Sequence, residues 1–138
     1  LTYLSLCRLA AVSDIVSLHA AVTPDSRGMI DEKFLSHMKR SAFLVNTARG
    51  DLVDNHALRA ALIQGLIAGA GLDTVSPEPV TADNPLVTLP TSCRDRVVFS
   101  PHLGGITTGS FRRMHRTMWE NASRIERGEK PVNIVNGL

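Results

Sequence analysis

Ala42-Phe43-Leu44-Val45 runs directly into Asn46-Thr47-Ala48-Arg49-Gly50. A short apolar run that ends in a polar turn reads as a buried strand whose tip is free to carry function. The pattern returns twice. Ile67-Ala68-Gly69-Ala70-Gly71-Leu72 runs into Asp73 and then Glu78-Pro79, and Val97-Val98-Phe99 runs into Ser100-Pro101-His102. The strands alternate with helical stretches and are apolar throughout. Both traits indicate an α/β fold, a parallel sheet covered by helices on two faces. Open parallel sheets bind ligands beyond the carboxyl ends of their strands. The three tips would therefore gather an arginine, a glutamate and a histidine on one edge: an anion clamp, a charge partner and a proton carrier. That set suits chemistry on a carboxylate-bearing substrate.

The elements around these runs follow from local signals. Ser5 could cap a short helix through Leu6, Leu9, Ala10 and Val12. Asp14 to His19 reads as a buried strand, and Thr23 to Gly28 as a turn-rich loop. Asp31 suits the N-cap of a helix carrying Phe34, Leu35 and Met38. Asp54 suits the N-cap of another, with Ala57, Leu58, Ala61 and Leu62 on one face and Gly65 at its end. The small residues of Ala68 to Leu72 predict close packing by a neighbouring helix. Residues 74 to 96 form a long loop with four prolines, Pro77, Pro79, Pro85 and Pro90. Thr107 or Thr108 can cap a long helix ended by Gly128. Its stripe of Phe111, Met114, Met118, Ala122 and Ile125 falls at three- and four-residue steps and predicts core packing. Pro131 to Val135 reads as an extended tail. No internal repeat or low-complexity segment interrupts the pattern.

The chain has 138 residues, 43% of them hydrophobic and 20% charged, with a net charge of +2. This is the composition of an ordinary soluble domain, and the charge is too small to imply a polyanionic partner. Arg112, Arg113 and Arg116 read as a solvated helix face rather than a nucleic-acid site. Cys7 and Cys93 are far apart and read as free thiols, which suits a reducing compartment. No run approaches the roughly 20 apolar residues of a membrane span. No basic n-region with an apolar h-region opens the sequence, so a signal peptide is not expected. A soluble, cytoplasmic protein without membrane or nucleic-acid partners is the expectation, and no metal-ligand spacing occurs. Leu1 begins in mid-pattern, as a piece of something longer would.

The ordered blocks resemble one family. Ser13 to His19, Met38-Lys39 through Asn46-Thr47-Ala48-Arg49-Gly50, Val53-Asp54, Ala57-Leu58, Ala61-Leu62, Gly69-Ala70-Gly71-Leu72-Asp73, Glu78-Pro79 and Ser100-Pro101-His102-Leu103-Gly104-Gly105 look like the D-isomer-specific 2-hydroxyacid dehydrogenases. The resemblance covers nearly the whole chain. It implies a partial Rossmann-like NAD-binding domain over residues 1–128, with residues 129–138 returning toward a substrate domain. The family's Gly-x-Gly-x-x-Gly turn and its ribose-reading acidic residue would lie upstream. On this reading the chain holds the third to sixth strands and lacks the first two, which would leave the strand at Asp14 to Leu18 without a neighbour. An unpaired strand, or a segment filling the gap, is expected. Departures are Ala20-Ala21 where the family has a proline, a longer stretch at Thr91 to Arg96, and no acidic residue in Thr107 to Ser110.

The resemblance also implies roles. Arg49 would grip the substrate carboxylate, His102 would be the acid/base, and Glu78 would hydrogen-bond the histidine. Thr47, Ala48, Arg49, Asp73, His102, Gly104, Gly105 and Ala20 would lie along NAD or NADP, with Asp73 at the nicotinamide amide. Asp73 also suits a plain turn at a strand end. His19 suits a structural or cofactor-edge role, and His37, His56 and His115 receive none. The implied reaction is hydride transfer between NAD(P) and a small D-2-hydroxy or 2-oxo acid, in an enzyme that is commonly a homodimer. The alternatives are a corepressor-like dinucleotide-binding module and an inactive fragment. The chain alone is expected to bind dinucleotide weakly or not at all, because the pyrophosphate-cradling turn is absent from it. Formate chemistry fits less well, since that branch has an amide where Glu78 stands.

Overall fold

The computed structural model describes residues 2–135. They form two compact units that divide between Leu103 and Gly104. In the first, strands β1 (Ile15–Leu18), β2 (Phe43–Asn46), β3 (Gly69–Leu72) and β4 (Val97–Phe99) make one parallel sheet in the order β1-β2-β3-β4. Helices α1 (Leu6–Val12), α2 (Glu32–His37) and α3 (Asn55–Gln64) belong to the same unit. The α/β class and the parallel sheet are as the sequence pattern indicates.

The helix boundaries follow from capping chemistry. Asp31 accepts the Phe34 N–H at 2.7 Å at the start of α2. Asp54 accepts the His56 and Ala57 N–H groups at 2.9 and 3.1 Å at the start of α3. Gly65 closes α3 at φ 64°, a conformation that disfavours any residue with a Cβ. Ser5 stands at the N-cap of α1 without a side-chain hydrogen bond, so that helix lacks the expected cap contact.

The register stacks Val16, Leu44, Ala70 and Val97 in one row, and Leu18, Asn46, Leu72 and Phe99 in the next. All but Phe99 are buried, in or beside a core that includes Phe34, Leu35, Leu58, Leu62, Leu86, Leu89 and Cys93. The opposite face carries Ile15, Phe43 and Val98, which are exposed. Burial in β1 therefore alternates, contrary to the expectation of strands covered on both sides. The reason is topological. Consecutive right-handed crossovers that step in one direction across a sheet leave their helices on the same face.

The expected gap beside the first strand is also absent. β1 pairs with β2 in register from Ile15↔Phe43 to Leu18↔Asn46, so the four strands are contiguous neighbours. The chain therefore does not contain a strand from the far side of a missing pair. A Cβ on Gly69 would meet the Arg96 carbonyl oxygen at 2.5 Å, so its small side chain admits backbone of the following connection. That connection is not loop throughout: Thr91–Arg96 form a 3-10 helix with Cys93 buried beneath it.

The second unit is built on α4 (Thr108–Glu126). Thr107 caps it by accepting the Ser110 N–H at 3.0 Å. Gly128, at φ 73°, ends it, with Gly128 N–H on the Ile125 carbonyl and Glu129 N–H on the Arg124 carbonyl. Asn121 accepts the Val132 N–H and donates to the Val132 carbonyl, pinning the segment after Pro131 back to the helix. No residue of α4 is buried, and Phe111, Met114, Met118 and Ile125 are exposed. The expected core stripe is thus exposed, because α4 is the only helix or strand of its unit among the described residues. The last part of the expected tail, residues 136–138, lies outside the described residues. Among the described residues no helix is long and apolar enough to cross a membrane.

Candidate active site

The register that aligns Leu18, Asn46, Leu72 and Phe99 makes His19, Thr47, Asp73 and Ser100 the next residues at the carboxyl edge of the sheet. The candidates of the first unit follow directly from these four positions, as the strand-tip argument requires.

His102 is held by backbone first. Its N–H donates to the Asp73 carbonyl at 2.8 Å and to the Ser100 carbonyl at 3.0 Å. The Asp73 carboxylate accepts the Ser100 hydroxyl at 2.5 Å and the Leu103 N–H at 2.8 Å on the same oxygen. This harness keeps His102 at φ 55°, a left-handed conformation that costs a residue with a Cβ about 1–3 kcal/mol. The imidazole then reaches the loop after β3, where Nδ1 lies 3.1 Å from Glu78 Oε2. A carboxylate can only accept, so Nδ1 carries the proton and Nε2 is left as the acceptor.

The Glu78 loop is anchored at Ser76. Asn55 and Asn84 donate their amides to the Ser76 carbonyl at 2.6 and 3.0 Å, and the Ser76 hydroxyl donates to Asp51 at 3.3 Å. Gly50 packs directly on this point: a Cβ there would sit 2.2 Å from the Ser76 nitrogen. The turn after Arg49 and the loop that carries Glu78 are therefore in backbone contact. Arg27 pairs with Asp51 from the other side.

Arg49 is exposed and donates Nη1 to the Ala48 carbonyl at 2.6 Å. It shares an open depression of about 690 Å³ with His19, Ala20, Thr47 and Ala48. A second cavity, about 620 Å³, is lined by Asp73, Glu78 and His102 together with Val75, Val87 and Phe99. The structure thus brings Glu78 and His102 together and ties Asp73 to His102, while Arg49 lines a separate depression. His19 contacts Ser17 through Nε2 at 2.9 Å. Gly104 and Gly105 are exposed at the start of the second unit. Among the described residues no cluster of His, Cys, Asp and Glu could hold a metal.

Short side chains at Ala20, Thr47 and Ala48 leave the depression open along the strand tips, and an apolar cavity flanks the histidine. Both have the volume and mixed character of small-molecule sites. The apolar cavity beside the histidine suits a flat ring such as nicotinamide, and the depression suits a more polar part of a ligand.

Two residues with positional roles were not singled out by sequence. Ser100 holds the Asp73 carboxylate, and Asn46 holds the turn that leads to Arg49. For Asn46 a signal exists, since an amide closes an otherwise apolar run. For Ser100 there is none, because its partner lies across the sheet.

Residues 1–104 match the family described as "D-isomer specific 2-hydroxyacid dehydrogenase, NAD binding domain". The chain belongs to this family. It is 44% identical over 134 residues to a glyoxylate reductase of Korarchaeum cryptofilum, an alignment that covers 97% of this chain and 39% of the relative. A D-isomer specific 2-hydroxyacid dehydrogenase from Lactobacillus delbrueckii ssp. bulgaricus, solved in its NAD complexed form, superposes with a TM-score of 0.83 at 38% identity, over 97% of this chain and 43% of that one. A D-isomer specific 2-hydroxyacid dehydrogenase from Xanthobacter autotrophicus, solved with NADPH and MES, gives 0.79 at 38% identity, over 95% and 51%. This dehydrogenase-family chain spans about two fifths of the length of the glyoxylate reductase. Residues 1–104 are NAD-binding domain, in the family that the resemblance named.

Proposed function

We propose that this chain supplies the catalytic edge of a D-2-hydroxyacid dehydrogenase acting on a small 2-hydroxy or 2-oxo acid. The observation that carries the reading is the His102–Glu78 pair, 3.1 Å apart beyond the carboxyl ends of a parallel sheet. In the oxidative direction, His102 Nε2 takes the proton from the substrate hydroxyl as the C–H bond breaks. Glu78 opposes the positive charge that appears on the ring and fixes its orientation. Arg49 pairs with the substrate carboxylate, which a guanidinium can grip through two parallel hydrogen bonds. In the reductive direction His102 returns the proton to the carbonyl oxygen.

The dinucleotide, when bound, supplies the site that accepts or gives the hydride. Ala20, Thr47, Ala48, Arg49, Asp73 and His102 would line it, and Gly104 and Gly105 would add backbone contacts by family resemblance. The substrate is a small carboxylate, the protein acts in the cytoplasm, and residues 129–138 lead toward a substrate domain in a homodimer.

The test is turnover. The protein at its natural full length is mixed with NADH or NADPH and a panel of glyoxylate, pyruvate and hydroxypyruvate. Oxidation of the cofactor is expected with at least one acid, and His102→Ala should lower kcat by about 10²- to 10⁴-fold. Absence of cofactor oxidation with every acid refutes the proposal.

A further inference from the structure

Asn46 is the last residue of β2 and is fully buried. Its cross-strand neighbours in register are Leu18 and Leu72, both buried and apolar. A leucine or valine would suit that row better by burial alone, since a buried amide costs free energy unless both ends are bonded. Both ends of Asn46 are bonded, and to one short turn. Oδ1 accepts the Ala48 N–H at 3.0 Å, and Nδ2 donates to the Arg49 carbonyl at 2.9 Å. The Asn46 carbonyl also accepts the Asp73 N–H at 2.9 Å, joining this strand tip to the next.

We infer that Asn46 is a positioning residue: its carboxamide sets the Thr47-to-Arg49 backbone so that the Arg49 guanidinium meets the substrate carboxylate. The inference rests on the reading of Arg49 given above. The physical reason is leverage. The Arg49 side chain is long, exposed and flexible, and the Ala48 carbonyl fixes only one of its nitrogens. The direction in which it leaves the chain is decided by the backbone at 48 and 49, the two residues that the carboxamide brackets. Helix α3 and the Gly50 contact secure the chain after the turn; the Arg49 carbonyl also accepts the Leu52 N–H, at a longer 3.3 Å, whereas the Ala48 N–H is held by Asn46.

The test is a mutant cycle in the full-length protein, with Asn46→Ala, Arg49→Lys and the double variant. Asn46→Ala should raise KM for the 2-oxo acid by about 10- to 100-fold, the cost of a small misplacement, and raise KM for NADH by clearly less, since the same turn also lines the cofactor. In the Arg49→Lys background the same change should add little, because the group it positions is already altered. If Asn46→Ala does not fold, Asn46→Ser replaces it in the same cycle. Equal rises in both KM values, or full multiplication of the two effects in the double variant, would overturn the inference. Arg49→Lys with an unchanged KM for the acid would instead remove the carboxylate-clamp reading on which it stands.

Discussion

Ser100 donates its hydroxyl to the Asp73 carboxylate at 2.5 Å, and the oxygen that accepts it also receives the Leu103 N–H at 2.8 Å. Residues on both sides of His102 are therefore bound to one carboxylate, itself 7% exposed. Asp73 is as much a structural clasp as a ligand-facing group. Asp73→Ala would leave a backbone donor and a hydroxyl without their acceptor. We expect a loss of about 1–3 kcal/mol in urea unfolding, together with reduced turnover.

In the proposed mechanism Glu78 acts through its charge beside the imidazole ring, 3.1 Å away. Glu78→Gln keeps the shape and removes the charge, so the positive ring formed during proton transfer loses its counter-ion. A fall in kcat of about 10²-fold is expected. Steady-state kinetics with a saturating acid checks this, and a kcat equal to that of the unmodified protein would remove Glu78 from the mechanism.

Gly50 leaves no room for a side chain, because an added Cβ would stand 2.2 Å from the backbone nitrogen of Ser76. Backbone cannot rotate away as a side chain can. Gly50→Ala should destabilise by about 1–3 kcal/mol or more and disturb the Glu78 loop as well as the Arg49 turn. Chemical denaturation measures the first effect, and amide chemical shifts of residues 75 to 78 report the second.

Asp54 accepts two N–H groups at the start of α3. Asp54→Ala should cost about 1 kcal/mol, visible as a lower urea midpoint with an unchanged denaturant slope. Asp54→Ser should recover most of it.

At the end of α4, the Arg127 side chain donates to Glu129 at 2.8 Å. This bond holds the Glu129 carboxyl below the usual carboxylate range and raises the arginine, with the Arg124 charge adding to the effect on Glu129. A depressed folded-state pKa means stabilisation present above the unfolded value and lost as pH falls through the folded one. This contribution to the helix end should therefore be lost in acid. A carboxyl NMR titration should place Glu129 below a free glutamate, and Arg127→Gln should move it back up.

What sequence alone determined here is local. Asp31, Asp54 and Thr107 cap helices because a short polar side chain can reach the free N–H groups two or three residues on, wherever the chain ends up. Gly65 and Gly128 end helices because their backbone enters a left-handed region that favours glycine. The apolar runs announced parallel strands, and their tips announced Arg49, Glu78 and His102. The tertiary structure decided what depends on distant neighbours. Ile15, Phe43 and the Phe111-to-Met118 stripe have the hydrophobicity of core residues, yet burial requires an opposing surface, and no residue's own identity specifies one. The pairing of β1 with β2 and the bond of Ser100 to Asp73 likewise arise only when strand register fixes which tips stand side by side.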